Sequence, residues 1–158
     1  MFRTIERNTP QARLASLCAV LAGFLIPAGA IAQPAKPKVT EPAKIVSFAK
    51  GPRAACEGLA GCDFILLNGN PKTGPTQWFY RLKAGTPFPK HWHSSPENFI
   101  VVTGALTFNL ESGQVHTLKP GEYMGYQGGM IHWGQCEAGE DCLYYVFNSR
   151  PFDFHLVK

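Results

Sequence analysis

Several features that indicate common protein classes are missing from this 158-residue sequence. From Ile45 onward, no apolar pattern of helical period exceeds ten residues, which disfavours a helical fold. There is no glycine-rich phosphate loop, and no serine next to a histidine follows a triad pattern. Lys and Arg form no basic stripe, although the formal net charge is +4. The sequence therefore gives no reason to expect a nucleic-acid partner.

The first 32 residues predict a secretory signal peptide. A basic start precedes an apolar run from Leu14 to Ile31, and Ala30-Ile31-Ala32 matches a small-x-small cleavage site. A membrane anchor is the alternative, but Pro27 and two glycines interrupt the run and polar Gln33 follows it. We expect Sec export to the periplasm or the medium, with no membrane attachment after cleavage.

Residues 33–44 are rich in Pro and Lys and predict a disordered linker, which leaves residues 45–158 as one domain. Four cysteines follow the leader, and an even number in an oxidising compartment suggests two disulfides. We favour Cys56–Cys62 and Cys136–Cys142 among the three connectivities, because each pair brackets a short glycine-containing loop. Pairing of the flanking strands as a hairpin would bring the second pair together. A cysteine metal site is the alternative, although these spacings are wider than usual for structural zinc.

The domain is predicted to be all-β. Short apolar or aromatic runs are separated by Gly, Pro and Asn, as in FILLN, QWFYRL, NFIVV, ALTFNL, VHTL, EYMGY and LYYVF. Many short strands at this spacing are typical of a sandwich or barrel. Alternation predicts that Leu106, Phe108 and Leu110 face inward, and that Thr107 and Asn109 do not.

The stretch HWHSSPE predicts a metal site. On a strand, His91 and His93 share a face with Cα atoms about 6.5–7 Å apart, so both imidazoles could reach one ion. Glu97 keeps the same parity, although Pro96 interrupts the strand. A third imidazole would complete a site with positions open for water or substrate.

The same residues resemble the cupin family. The first cupin motif, glycine-x5-H-x-H-x3-E-x6-glycine, is matched in full by Gly85, His91, His93, Glu97 and Gly104. The second motif is matched at Gly121, Gly129 and His132. It departs at Gln127, where the motif has proline, and at Cys136, where it has asparagine. The resemblance covers about Phe64–Phe147 and is to small, secreted, single-domain bacterial cupins.

The resemblance implies an antiparallel jelly-roll barrel that binds one divalent ion (Fe, Mn, Zn, Ni or Cu) through His91, His93, Glu97 and His132. We expect His132 to reach the others from a strand across the barrel. The implied function is an enzyme acting on a small organic acid or phenolic compound by dioxygenase- or decarboxylase-type chemistry. The alternatives are a non-catalytic module that binds a metal or small ligand, and a purely structural barrel. Cupins often form homodimers, so we also expect one here.

Four residues are candidates for a substrate pocket: Phe99, Phe108, Tyr123 and Arg81. Arg81 could bind a substrate carboxylate, but an outward, solvated arginine is the favoured alternative. Most of the other aromatic residues, Tyr126 among them, are expected to be core. His116 and His155 match no ligand position and are expected at the surface. The closing PFDFHL predicts a last strand without a recognisable motif.

Overall fold

The computed structural model describes Ala35, Lys36, Lys38 and residues 41–158, so the predicted signal peptide lies outside the described residues. Residues Ala43–Lys158 form a compact unit. No helix that could span a bilayer occurs in the described part of the chain. That part contains eleven strands: β1 (Ala54–Ala55), β2 (Cys62–Gly69), β3 (Thr76–Leu82), β4 (Pro87–Trp92), β5 (Glu97–Thr103), β6 (Leu106–Leu110), β7 (Val115–Leu118), β8 (Tyr123–Tyr126), β9 (His132–Cys136), β10 (Cys142–Asn148) and β11 (His155–Leu156).

The strands form two antiparallel sheets that face each other. One sheet has the order β1-β2-β3-β10-β5-β8, and the other has the order β11-β4-β9-β6-β7. This confirms the predicted all-β jelly roll. The apolar core lies between the sheets, where Leu82, Phe99, Val101, Leu106 and Val146 are almost fully buried.

Alternation of apolar and polar side chains positions β6 as predicted. Leu106, Phe108 and Leu110 are buried, whereas Thr107 and Asn109 are only partly covered. Successive side chains of a strand point to opposite faces, so one apolar face of β6 can supply the core while its other face meets solvent.

Both predicted cysteine pairs lie at disulfide distance, with Cα–Cα separations of 5.3 Å for Cys56–Cys62 and 5.7 Å for Cys136–Cys142. The strands that flank the second pair do not form a hairpin. Cys136 ends β9 in one sheet, and Cys142 begins β10 in the other. The loop between them carries the chain from sheet to sheet, so this disulfide joins the two layers instead of two paired neighbours.

The C-terminal segment forms a shorter strand than PFDFHL predicted. Only β11 is regular, and it pairs with β4 through His155 opposite Trp92 and Leu156 opposite His91. Residues 151–154 precede this strand without regular structure. The pairing places the end of the chain beside the strand that carries the first histidine of HWH.

Candidate metal centre

Three histidines converge at the meeting point of β4 and β9. His91 on β4 lies directly opposite His132 on β9, and their rings are 4.1 Å apart. His93 follows the end of β4, with its ring 4.8 Å from that of His91. The expectation that His132 reaches across the barrel is wrong, because β9 hydrogen-bonds to β4 in the same sheet.

The geometry of the three rings fits a metal ion. Each histidine offers one ring nitrogen, and the three nitrogens lie within 4.8 Å of one another. Neighbouring nitrogens bound to one ion at ~2.1 Å lie ~3.0–3.4 Å apart in octahedral or tetrahedral geometry, so the widest pair needs to close by no more than ~1.8 Å. The exposed fractions of His91, His93 and His132 are only 6%, 4% and 1%.

Hydrogen bonds at the far side of each ring determine which nitrogen is available. The Nδ1 atom of each histidine lies within hydrogen-bond distance of a carbonyl oxygen, which can only accept. Each Nδ1 therefore carries the proton, and each Nε2 keeps a free lone pair. The acceptors for His91, His93 and His132 are the carbonyls of Pro89, Asp153 and Met130, at 2.7, 2.5 and 2.9 Å.

Burial keeps two of these imidazoles neutral. Desolvation lowers the pKa of His91 from 6.5 to about 4, against the opposing effect of the Pro89 carbonyl. Desolvation also lowers the pKa of His132 from 6.5 to about 3, and the neighbouring His91 adds to this. Because ligating histidines must be unprotonated, both rings can bind a cation at neutral pH without releasing a proton.

Glu97 lies beside the three histidines but is not one of the group that converges within 4.8 Å. Its Oε2 is 3.7 Å from Nε2 of His93. On the sheet it lies between two cross-strand neighbours, Tyr126 and Asn148. The Tyr126 hydroxyl donates to Oε1 at 2.8 Å, and Asn148 Nδ2 donates to Oε2 at 3.2 Å. Its role as a fourth ligand stays a prediction.

Tyr126 is a site residue that the sequence analysis placed in the core. Its hydroxyl is 3.1 Å from Nε2 of His132 as well as bonded to Glu97. Burial raises its pKa well above the ordinary value, and the Glu97 carboxylate raises it further, so the hydroxyl stays protonated. The alternation of EYMGY was the available signal, because it places Tyr126 and Met124 on the opposite face from Tyr123.

The three histidines line a cavity of about 620 Å³ between the sheets. Nine of the described lining residues are Phe, Tyr or Trp, and they include Phe99 and Phe108 from the predicted pocket. The other two pocket candidates lie elsewhere. Arg81 points outward from β3 and pairs with Asp63, with Nε–Oδ1 at 3.0 Å. Tyr123 is 60% exposed and donates to Asn98 at 2.6 Å. Strand alternation turns both side chains away from this cavity.

The C-terminal segment completes the wall around the histidines, which the sequence analysis did not anticipate. The Phe154 ring stacks on His91 at 4.3 Å, and the Phe152 ring lies 5.0 Å from His93. Asp153 between them supplies the carbonyl that binds His93. The alternating aromatic residues of PFDF were the only signal in the sequence, and they do not identify what the segment covers.

The two remaining described histidines lie at the surface, as expected. His116 is exposed on β7. His155 is exposed on β11, stacks on Trp92 at 4.1 Å and lies 3.1 Å from the Asp153 carboxylate. Neither lines the cavity that the other three histidines share.

The facing sheets and the buried histidine group define a small β-barrel protein with a candidate metal centre, and comparison with known proteins agrees. The model of the Cupin domain family matches residues 78–148, which include the three histidines and Glu97. Residues 78–148 therefore correspond to a Cupin domain. No curated protein sequence matches it.

Similar solved structures share the fold at low sequence identity. The polyketide cyclase RemF from Streptomyces resistomycificus is 18% identical with a TM-score of 0.63, over 73% of this chain and 86% of that one. KdgF from Halomonas sp. is 18% identical with a TM-score of 0.56, over 68% and 95%. A sugar phosphate isomerase from Silicibacter pomeroyi is 16% identical with a TM-score of 0.59, over 73% and 82%.

Proposed function

We propose that the protein is an exported, metal-dependent enzyme that acts on a small phenolic or organic-acid substrate bound in the aromatic cavity. One observation carries this proposal. Three buried imidazoles use their Nδ1 atoms for hydrogen bonds to carbonyl oxygens, so their Nε2 atoms are free. These three histidines lie together in the lining of a cavity of about 620 Å³. This volume is typical of sites for small molecules.

The residues that would hold a divalent ion are His91, His93 and His132, with Glu97 as the fourth ligand. When bound, the ion supplies a Lewis acid or a redox centre for the substrate. A carboxylate beside three neutral imidazoles would offset part of the charge of a divalent ion. Glu97 Oε2 lies 3.7 Å from His93 Nε2, so its carboxylate would join the three imidazoles in the donor set.

The surrounding residues position these groups and exclude water. Tyr126 and Asn148 hold the two oxygens of Glu97 from opposite sides. Phe154 covers His91, and Phe108 stacks on His132 at 4.9 Å with ring planes 13° apart. A dry, shaped site strengthens electrostatic interactions with a bound substrate.

Export rests on the leader pattern and on the cysteines. Both pairs lie at disulfide distance, which fits an oxidising compartment outside the cytoplasm. Homodimer formation stays a prediction, which sedimentation of the purified protein checks.

Elemental analysis of protein purified from the periplasm tests the metal centre. We expect about one divalent ion per chain. Replacing any of His91, His93 or His132 with Ala should remove most of it, because each change deletes a neutral nitrogen ligand. Glu97→Gln should weaken binding or change the preferred metal, because it removes charge but keeps shape.

The matched controls are His116→Ala and His155→Ala, which remove exposed imidazoles and should retain full metal. Metal loss in either control, with retention in His132→Ala, would refute the assigned centre. Oxygen uptake and product formation with a panel of phenols and small acids test the activity. Tightly held metal and ligand binding without turnover of any compound would instead identify a non-catalytic binding module.

A further inference from the structure

The charges around the cavity all have one sign. Among the described residues that line it, Glu57 and Glu97 are acidic, and none is Lys or Arg. Arg81, the candidate partner for a substrate carboxylate, is bound to Asp63 on the outer face. The described lining of the cavity therefore holds no side-chain cation for an anionic ligand group.

This charge pattern discriminates between ligands that are otherwise alike. A carboxylate placed away from the metal would leave water for an aromatic wall without gaining a cationic partner. Burial of an unpaired ionised group is far more costly than burial of a hydroxyl that finds a hydrogen bond. A site can reject a ligand by leaving its charge unpaired, without any steric clash.

The same walls favour neutral aromatic ligands. Tyr80 and Tyr144 stack with ring centroids 5.8 Å apart and planes 15° apart, and both line the cavity. Burial raises the pKa of both hydroxyls, so they stay protonated. They are uncharged groups available to the oxygens of a ligand, and the neighbouring rings of Phe64 and Trp78 offer faces and edges for stacking.

We infer that the cavity binds an uncharged hydroxylated aromatic compound of two or more fused rings, and that it rejects the same skeleton bearing a remote carboxylate. The size follows from the volume of about 620 Å³, which is within the range of drug-sized ligands and leaves a single ring loosely held. The inference rests on the proposed function, which places the substrate in this cavity. It narrows the substrate from phenolic compounds or organic acids to the phenolic class.

Three probes separate charge from size. They are 2,3-dihydroxynaphthalene, 6,7-dihydroxy-2-naphthoate, which adds a carboxylate at the far end of the same diol, and catechol, which removes one ring. Each is titrated into the mature protein in zinc-loaded and metal-free form, with quenching of tryptophan fluorescence as the readout because Trp78 lines the cavity. We expect the naphthoate and catechol each to bind about tenfold or more weakly than the neutral diol.

Equal or tighter binding of the naphthoate would overturn the charge selection, and equal binding of catechol would overturn the ring size. The charge preference should persist without zinc, because it originates in the walls. If metal analysis and turnover fail while the preference remains, only the proposed function is lost. If metal and turnover are present without the preference, only this inference is lost.

Charge reversal at the cavity lining gives a matched test. Glu57→Lys introduces the missing cation and should narrow the difference between the naphthoate and the neutral diol by about threefold, since Glu57 is exposed and water screens its charge. Glu111→Lys makes the same charge change on an exposed residue that does not line the cavity, and it should leave the ratio unchanged. An unchanged ratio in Glu57→Lys, or an equal change in both variants, would contradict the assignment of the selection to the cavity lining.

Discussion

Mild acid should destabilise the metal-free protein through its buried histidines. In the folded protein, burial lowers the pKa of His91 to about 4 and that of His132 to about 3, from 6.5. The unfolded chain therefore binds more protons than the folded one between about pH 6.5 and these lower values. Where the unfolded state binds more protons, stability rises with pH and falls as pH is lowered.

The size of the effect follows from the same values. A pH of 5 lies 1.5 units below the ordinary pKa of 6.5 that each imidazole has in the unfolded chain. Each unit corresponds to ~1.4 kcal/mol of linkage, so each histidine contributes a loss of ~2 kcal/mol relative to neutral pH. The pair together should lower the free energy of unfolding by ~4 kcal/mol, which is a large share of the stability of a domain this size.

Urea unfolding in the presence of a chelator, at half-unit steps from pH 7 to pH 4.5, measures this dependence. His132→Gln keeps a polar side chain without a titrating imidazole and should remove about half of the slope. His116→Ala, which alters an exposed imidazole, should leave the slope unchanged. A free energy of unfolding that stays constant or increases as the pH falls from 7 to 5 would refute the reasoning.

Three further predictions concern the network beside the histidines, the link between the sheets and the leader. Tyr126→Phe removes the 2.8 Å hydrogen bond to Glu97 and should lower the free energy of unfolding by ~1–3 kcal/mol, as measured by urea titration. An unchanged free energy of unfolding would contradict this. Replacing Cys136 and Cys142 together by Ala should cost ~2–3 kcal/mol, because the bridge closes a short loop, while elemental analysis still finds full metal; metal loss would contradict this. Intact-mass measurement should find a mature chain beginning near Gln33, and a mass that retains residues 1–32 would contradict the cleavage site.

Local pattern was sufficient for most of the fold. Strands such as β3 and β6 follow from aromatic and β-branched composition, and the turns between strands follow from Gly, Pro and Asn. The facing of Phe108 and the outward direction of Thr107 follow from alternation alone. Local pattern did not decide whether the strands on either side of the Cys136–Cys142 loop pair as a hairpin. A short loop between two strands has the same appearance whether the strands pair or belong to different sheets.

The first two histidines were predictable because they share one strand face. His132 was predictable as a candidate ligand only through motif resemblance. Its position was misjudged because local sequence does not show the order of strands in a sheet. For Arg81, the sequence left two alternatives, and the structure agrees with the outward one. Its neighbour Tyr80 faces the cavity, and the one-residue offset turns Arg81 to the surface and to Asp63.

The strands, the shared face of His91 and His93, and the favoured cysteine pairs were predictable because each depends on residues a few positions apart. The surroundings of Glu97 and the histidines depend instead on long-range contacts. Tyr126 and Asn148 lie 29 and 51 positions from Glu97, and they meet it through the register of three different strands. Phe154 covers His91 because the chain end pairs with β4. Such contacts depend on strand order and register, which result from the packing of the whole domain and not from any single segment.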